Sequence, residues 1–382
     1  MNLAYLTDQI LPRTATDTTQ MVSMASAFAG VQMETEGTTT IVCPRSWIGK
    51  PATASDIARY YSVEERFRVA TVRSVFPCIR GIEKLAQGWR APASRIAQES
   101  DVLYTRTLPI LITSLLLDAG PIVYETYRPW PVQNTYNHDL FRWIGSHPLF
   151  VGAILHSDYA RQSYEGIGMP SEKLMTAHNG YDPSHYRARK SKEEARVLLG
   201  ITHDQNIVVY SGRINSKKGL GVVLDMARRL PDVDFLLVGS EGNGSVELEA
   251  ASIPNVFIHP WCSHPQTLPF LSAADVLIIP PSTEPLMNAG NTVLPIKTFM
   301  YMASERPILA GATPDLAEIL EDGINASLVK PDDVDMAVAA LTALLIDPER
   351  CAKLARNAAE TVGNLTWESR ARRILSFIQD RI

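Results

Sequence analysis

Cysteine is scarce. Cys43, Cys78, Cys262 and Cys351 are scattered along 382 residues, with no Cys-x-x-Cys pair and no histidine at ligand spacing. This argues against thiolate zinc and a disulfide framework, and for free thiols in a reducing compartment. Long apolar runs are missing as well: the most apolar stretch, "LPILITSLLL" (108–117), is too short to span a bilayer. The start, "MNLAYLTDQILP", has no basic region ahead of an apolar core. No signal peptide is expected, and the protein is expected in the cytoplasm. A positive excess is absent too. Lys and Arg number 36 against 41 Asp and Glu, a net charge of −5, which argues against general nucleic-acid binding. The balance is uneven, with 19 basic and 17 acidic residues over 1–190 and 17 against 24 beyond. "VGSEGNG" lacks the Gly-x-Gly-x-x-Gly order of a dinucleotide site. No Asp-x-Asp motif sits at a strand end, and no internal repeat stands out.

What is present is an ordinary soluble composition, 46% apolar and 20% charged, over a length that suits two domains. Short apolar runs alternate with helical patterns, the mark of a parallel α/β sheet. "NLAYLT", "TTTIVCP", "DVLYTR", "PIVYET" and "VGAILHS" read as strands of a first series. A second series follows with "NIVVYSGR", "DFLLVGS", "NVFIHP", "DVLIIPPS" and "RPILAG". The polar stretch 181–205 lies between them and reads as a linker with a short helix. The expected organisation is a doubly wound N-terminal domain over 1–190, a second over 191–360, and a helix over 361–382. Ligands of such folds bind at the carboxyl ends of the strands.

Two stretches carry chemistry. In "YSGRINSKKGLGVVLDMA" (210–227) a buried strand ends in Gly212 and Arg213, a loop supplies Lys217 and Lys218, and Gly219 opens a helix. Two cations and a helix start at a strand's carboxyl end suit a diphosphate, although a solvated basic turn has the same spacing. In "PSTEPLMNAGNTVLPIKTFMYMAS" (281–304), Glu284 opens a loop containing Gly290, Asn291 and Thr292. Amides there can approach an anion because glycine adds no bulk, and Glu284 can accept hydrogen bonds from sugar hydroxyls. A polar surface loop explains the composition equally. A helix is expected to begin near Pro295.

Together these stretches resemble the retaining glycosyltransferases of group 1 (family 4). "SGRINSKKGLGVVLDMARRLPDVDFLLVG" is similar to the family's donor-phosphate segment, and "AADVLIIPPSTEP" to its Ala-Asp-Val…Pro-Ser…Glu-Pro segment. "LPIKTFMYMASERPILA" resembles the form Pro-x-Lys-x-Phe-Glu-Tyr-Met-Ala, "TPDLAEILEDGINASLVKPDD" the segment after it, and "HNGYD" the turn before the linker. The resemblance implies a GT-B fold: two Rossmann-like domains facing a cleft, an N-terminal acceptor domain and a C-terminal nucleotide-sugar domain. The C-terminal helix is expected to return to the N-terminal domain.

The activity implied is sugar transfer, with retention, from a nucleotide-diphosphate sugar to a glycan, lipid-linked or small-molecule acceptor. Arg213 and Lys218 would bind the diphosphate and stabilise it as it leaves, and Glu284 would hold donor hydroxyls. Gly212, Gly290, Asn291, Thr292 and Lys297 would line the donor site, with no metal and no cofactor beyond the donor itself. Two departures stand out. Met300 falls where the family usually has a ribose-binding Glu, and Tyr127 where a cleft His is common. Glu125, Arg128, His138 and His147 are the polar candidates nearby, and Thr14, Thr16, Thr18 and Thr19 the hydroxyls near the first strand. A sugar-nucleotide epimerase of the same architecture and a non-catalytic binding or scaffolding subunit are the alternatives. The stretch 58–95 mixes arginine with aromatic residues. It reads either as a surface for an anionic membrane, at its inner face, or as a helix pair packed on the sheet.

Overall fold

The structure is a computed structural model that describes residues 1–382 apart from 46–49, 75–79, 134, 188, 243 and 288–293. It divides into two compact units. One holds Met1–His178 with Trp367–Ile382, and the other Asn179–Thr366.

The first unit is a seven-stranded sheet in the order β3-β2-β1-β4-β5-β6-β7. Its strands are β1 (Asn2–Leu6), β2 (Thr38–Arg45), β3 (Arg68–Arg73), β4 (Val102–Thr105), β5 (Ile122–Thr126), β6 (Phe150–Leu155) and β7 (Leu174–Thr176). Every pairing is parallel. The central strands are buried residue after residue, Leu3 to Leu6 and Val102 to Thr105, as a sheet covered on both faces requires. The first strand therefore reads as a continuous apolar run rather than an alternation.

The second unit is a six-stranded parallel sheet in the order β10-β9-β8-β11-β12-β13. It comprises β8 (Asn206–Ser211), β9 (Val233–Ser240), β10 (Val256–Pro260), β11 (Val276–Ile278), β12 (Ile308–Gly311) and β13 (Ser327–Val329). Here β8 serves two cores at once. Val208 and Tyr210 join one apolar cluster with Leu224 and Leu237, while Ile207 and Val209 join another with Leu277, Phe299 and Met302. That period of two is the strand's own. Burying a Leu or Phe fully is worth about 1.5–3 kcal/mol, so both faces hold the strand that ends at the candidate site.

The helix Trp367–Gln379 belongs to the first unit, as expected. It packs on the helix Thr16–Gln32 and buries Ile374, Leu375 and Ile378. Gly152 on β6 leaves room for it, since a Cβ there would come within 2.7 Å of the Phe377 ring.

The stretch 58–95 corrects the helix-pair reading. It carries the end of one helix, then edge strand β3, then the helix Arg80–Arg90. Edge strand β3, "RVATVR", faces solvent on much of its length, so its composition resembles a helix face more than a buried strand.

Candidate functional site

The donor-type residues converge where β8 ends. Gly212 takes φ +135°, a conformation open to glycine, and its N–H donates to the Val238 carbonyl on β9 at 2.8 Å. Gly239 mirrors it at φ +125°: a Cβ there would lie 2.4 Å from the Gly212 oxygen. Two glycines thus let the ends of β8 and β9 pinch together and turn the chain out at Arg213.

The aromatic floor fixes this turn. Tyr301 Oη accepts from the Ser211 N–H at 2.6 Å, and Tyr210 Oη donates to the Arg213 carbonyl at 2.9 Å. Arg213 itself is exposed and pairs with Glu241 at 3.1 Å, with both side chains a little under half exposed. Such a pair is worth less than about 1 kcal/mol and exchanges easily for another anion.

Lys218 ends a short 3-10 turn, Ser216–Lys218, ahead of the helix Leu220–Arg229. Burial, then the nearby Arg213 charge, lowers its pKa. Gly219 joins turn to helix at φ +70°, and a Cβ there would strike Ser282 at 2.5 Å. The close approach brings the segment after β11 against the cationic turn.

That segment is anchored from behind. Ser282 Oγ donates to Asp332 at 2.6 Å, and the Thr283 N–H donates to the same carboxylate at 3.1 Å. Glu284 follows, exposed, on the short helix Glu284–Met287, which packs against the Ser216–Lys218 turn. Gly290, Asn291 and Thr292 lie outside the described residues. Leu294 reappears at φ +48° with its N–H on Asp315 at 2.7 Å, and the expected helix runs over Lys297–Ala303.

Lys297 opens that helix and reaches back to β8. Its Nζ stands 3.5 Å from the centre of the Tyr210 ring. Met300, one turn on, is half-buried against the apolar cluster, and its carbonyl accepts from Tyr186 Oη at 3.4 Å. Gly212, Arg213, Lys218 and Lys297 are therefore one constellation, with Glu284 on the neighbouring segment. Tyr210, Glu241 and Asp332 were not singled out in the sequence. A strand-end glycine in "VGS" was the one signal that β9 approaches this point.

The unit also holds a cavity of about 830 Å³, but at the amino ends of its strands, lined by Asn206, Asp275, Arg306 and Cys351 among others. Charges there are matched, Arg189 with Glu305 at 2.6 Å and Lys192 with Asp275 at 3.0 Å.

In the first unit, the carboxyl ends of β4 to β6 carry a buried polar hub. Glu125 accepts from His156 Nε2 at 2.6 Å, Arg370 at 3.0 Å, Tyr104 Oη at 2.7 Å and Tyr5 Oη at 3.3 Å. Although burial opposes ionisation, the Arg370 and Arg106 charges and the His156 bond hold its pKa well below the usual carboxylate range. Burial lowers the His156 pKa as well, to about 4, which leaves its imidazole neutral. Glu125 is thus spent internally and does not reach a ligand. Tyr127 lies on the rim beside His156, flanked by Arg106 and Arg128 at 5.9 and 5.5 Å.

His138, His147, Thr14, Thr18 and Thr19, also singled out in the first unit, make hydrogen bonds within it. His138 bonds the Pro131 carbonyl at 2.9 Å, and His147 takes the Leu149 N–H at 3.3 Å. Thr18 and Thr19 bond back to Ala15, and Thr14 meets Tyr60. His156, Arg106 and Arg370 escaped notice in the sequence.

The chain is thus two parallel Rossmann-like units, one with basic side chains gathered at the carboxyl edge of its sheet. Comparisons with known proteins add what the chain resembles. Residues 191–361 match the family described as Glycosyl transferases group 1. That match lies within the second unit and covers less than half of the chain. It is 25% identical over 237 residues to D-inositol 3-phosphate glycosyltransferase 1 of Catenulispora acidiphila, covering 56% of this chain and 53% of that one. The chain spans about half the length of the curated relatives it matches. Among solved structures, Anabaena HepE in complex with UDP-glucose superposes with a TM-score of 0.74 at 15% identity, over all of both chains. Sucrose-phosphate synthase of Thermosynechococcus elongatus gives 0.77 at 15%, over 99% of this chain and 98% of its own. The fold is that of the GT-B glycosyltransferases.

Proposed function

We propose that the protein transfers a sugar, with retention, from a nucleoside-diphosphate sugar to an acceptor. One observation carries the reading: Arg213, Lys218 and Lys297 gather at the end of β8, and the carboxylate paired with Arg213, Glu241, is on an exposed, exchangeable bridge. A diphosphate would satisfy all of this charge. Its departure is the step that builds negative charge, and fixed cations aimed at that position lower the barrier most. Arg213 offers a planar fork to two phosphate oxygens, and Lys218 a point charge from the turn. Gly212 lets the backbone approach closely. Glu284, on the neighbouring segment, would accept from donor hydroxyls, and Gly290, Asn291 and Thr292 would add amides.

HepE was solved with UDP-glucose, so UDP and its sugars are the first probes to try. In a thermal-shift panel of UDP, GDP, ADP and their sugars, at least one should raise the melting temperature by mass action. Release of the free diphosphate with acceptor present then measures turnover. A panel with no shift at millimolar ligand would contradict the reading.

A second reading, contact with an anionic membrane, rests on the helix Arg80–Arg90. Its amphipathicity is inverted. Ile82, Leu85 and Trp89, spaced to share one face, are 50%, 65% and 53% exposed, while Glu83 and Gln87 are buried and bonded to each other at 2.7 Å. Exposed Arg68, Arg73 and Arg90 lie on the same edge of the unit, and Arg90 bonds the Arg73 carbonyl. Apolar side chains set among arginines suit an anionic bilayer surface. No helix among the described residues is long and apolar enough to cross a membrane. The protein should float with phosphatidylglycerol vesicles and stay behind with phosphatidylcholine, and Leu85→Ser with Trp89→Ser should abolish flotation. Flotation unaffected by those changes would exclude this face.

A further inference from the structure

Lys297 is an anomaly within the proposed donor site. It is half-buried, yet among the described residues no hydrogen bond or carboxylate serves its Nζ. Its Nζ rests on the face of Tyr210 at 3.5 Å, and a Cβ on Gly212 would come within 2.8 Å of it. The tyrosine cannot swing away, because its hydroxyl is held by the Arg213 carbonyl.

The groups around it are mostly of one sign. Lys218 approaches from the 3-10 turn and Arg213 from the end of β8. Glu241 at the end of β9 is engaged with Arg213. Tyr301 on the same helix is engaged with Ser211. Glu284 stands on the segment that packs on the turn. Burial first, and the Lys218 charge second, hold the Lys297 pKa well below the usual lysine range. A cation–π contact is worth about 0.5–2 kcal/mol and does not replace a counter-anion. Lysine also accepts the neutral form under burial, which arginine does not.

We propose that Lys297 is a third ligand of the diphosphate and the site's pH-sensitive one: anion binding and protonation of its Nζ are coupled. The proposal rests on the donor-site reading above. With the site empty, burial and the Lys218 charge disfavour the charged form of Nζ over the Tyr210 ring. An arriving diphosphate supplies the missing negative charge, the amine takes one proton from solvent, and the resulting ammonium donates to a phosphate oxygen. Binding therefore weakens as pH rises through the pKa of the liganded state.

Calorimetric titrations with UDP and with inorganic pyrophosphate test this in Tris and in HEPES at pH 8. The terminal phosphate of UDP is already ionised there, its second pKa lying near 6, so proton uptake seen with UDP reports the protein. Uptake by wild type is expected, with UDP affinity falling between pH 7 and 9. Lys297→Met should bind about ten- to a hundredfold more weakly at pH 7 and take up no proton. Lys297→Arg, charged throughout, should bind without uptake and with a flatter pH dependence. Unchanged melting temperatures without ligand would show that the variants fold. If Lys297→Met binds and takes up protons like wild type, the proposal is overturned while the donor site stands. If wild type binds neither probe, the donor site itself falls.

Discussion

At the scale of single residues, Met300 shows how far one side chain limits the account. In the resembling family the position carries a Glu that meets the ribose. Here a thioether, a weak acceptor at best, is half-buried against Phe299, Met302 and their neighbours. Met300→Glu should strengthen UDP binding if the ribose lies over that turn, by about the 1.5–3 kcal/mol of a hydrogen bond to a charged group. Calorimetry reads it directly, and unchanged affinity would place the ribose elsewhere. The same scale explains what could be read from sequence. Arg213 and Lys218 declared themselves because a strand, a glycine and a cationic turn are consecutive. Tyr210 and Glu241 did not, since their roles depend on β8 meeting β9 at Gly212 and on Lys297 returning from 87 residues downstream.

Between elements, the helix Trp367–Gln379 does more than cover the sheet. It inserts Arg370, 3% exposed, against Glu125, 2% exposed, 245 residues away in sequence. The guanidinium also caps the carbonyls of Ala177 and His178. Removing one partner of a buried pair strands the other, at a cost of about 3–5 kcal/mol. Arg370→Met should therefore lower denaturant stability by that order. Adding Glu125→Gln to it should recover part of the loss, because no buried carboxylate is then left without its cation. Urea melts check both, and a double variant less stable than Arg370→Met would refute the pairing argument. Nothing local in "TWESRARRIL" marks Arg370 among its neighbours, so periodicity could assign the helix but not its partner. Likewise β3, β7 and β13 escaped the strand reading. One is an arginine-bearing edge, and the other two are three residues long, too short for alternation to show.

At the scale of the whole molecule, two parallel sheets and the return of the last helix followed from alternating strands and helices with a family pattern on top, while the strand order within each sheet did not. The chemistry is unevenly distributed between the units. The second gathers Arg213, Lys218 and Lys297 at its carboxyl edge, and the first holds a closed polar hub under a rim of Tyr127, Arg106 and Arg128. That asymmetry is why the proposed diphosphate site lies in the second unit, at its β8 edge. The most direct measurement is titration of the full chain with UDP at pH 7, comparing wild type with Arg213→Ala. The account predicts saturable binding by wild type and a loss of about tenfold or more in the variant, the worth of a charge-assisted contact. Equal affinities in two well-folded proteins would contradict it.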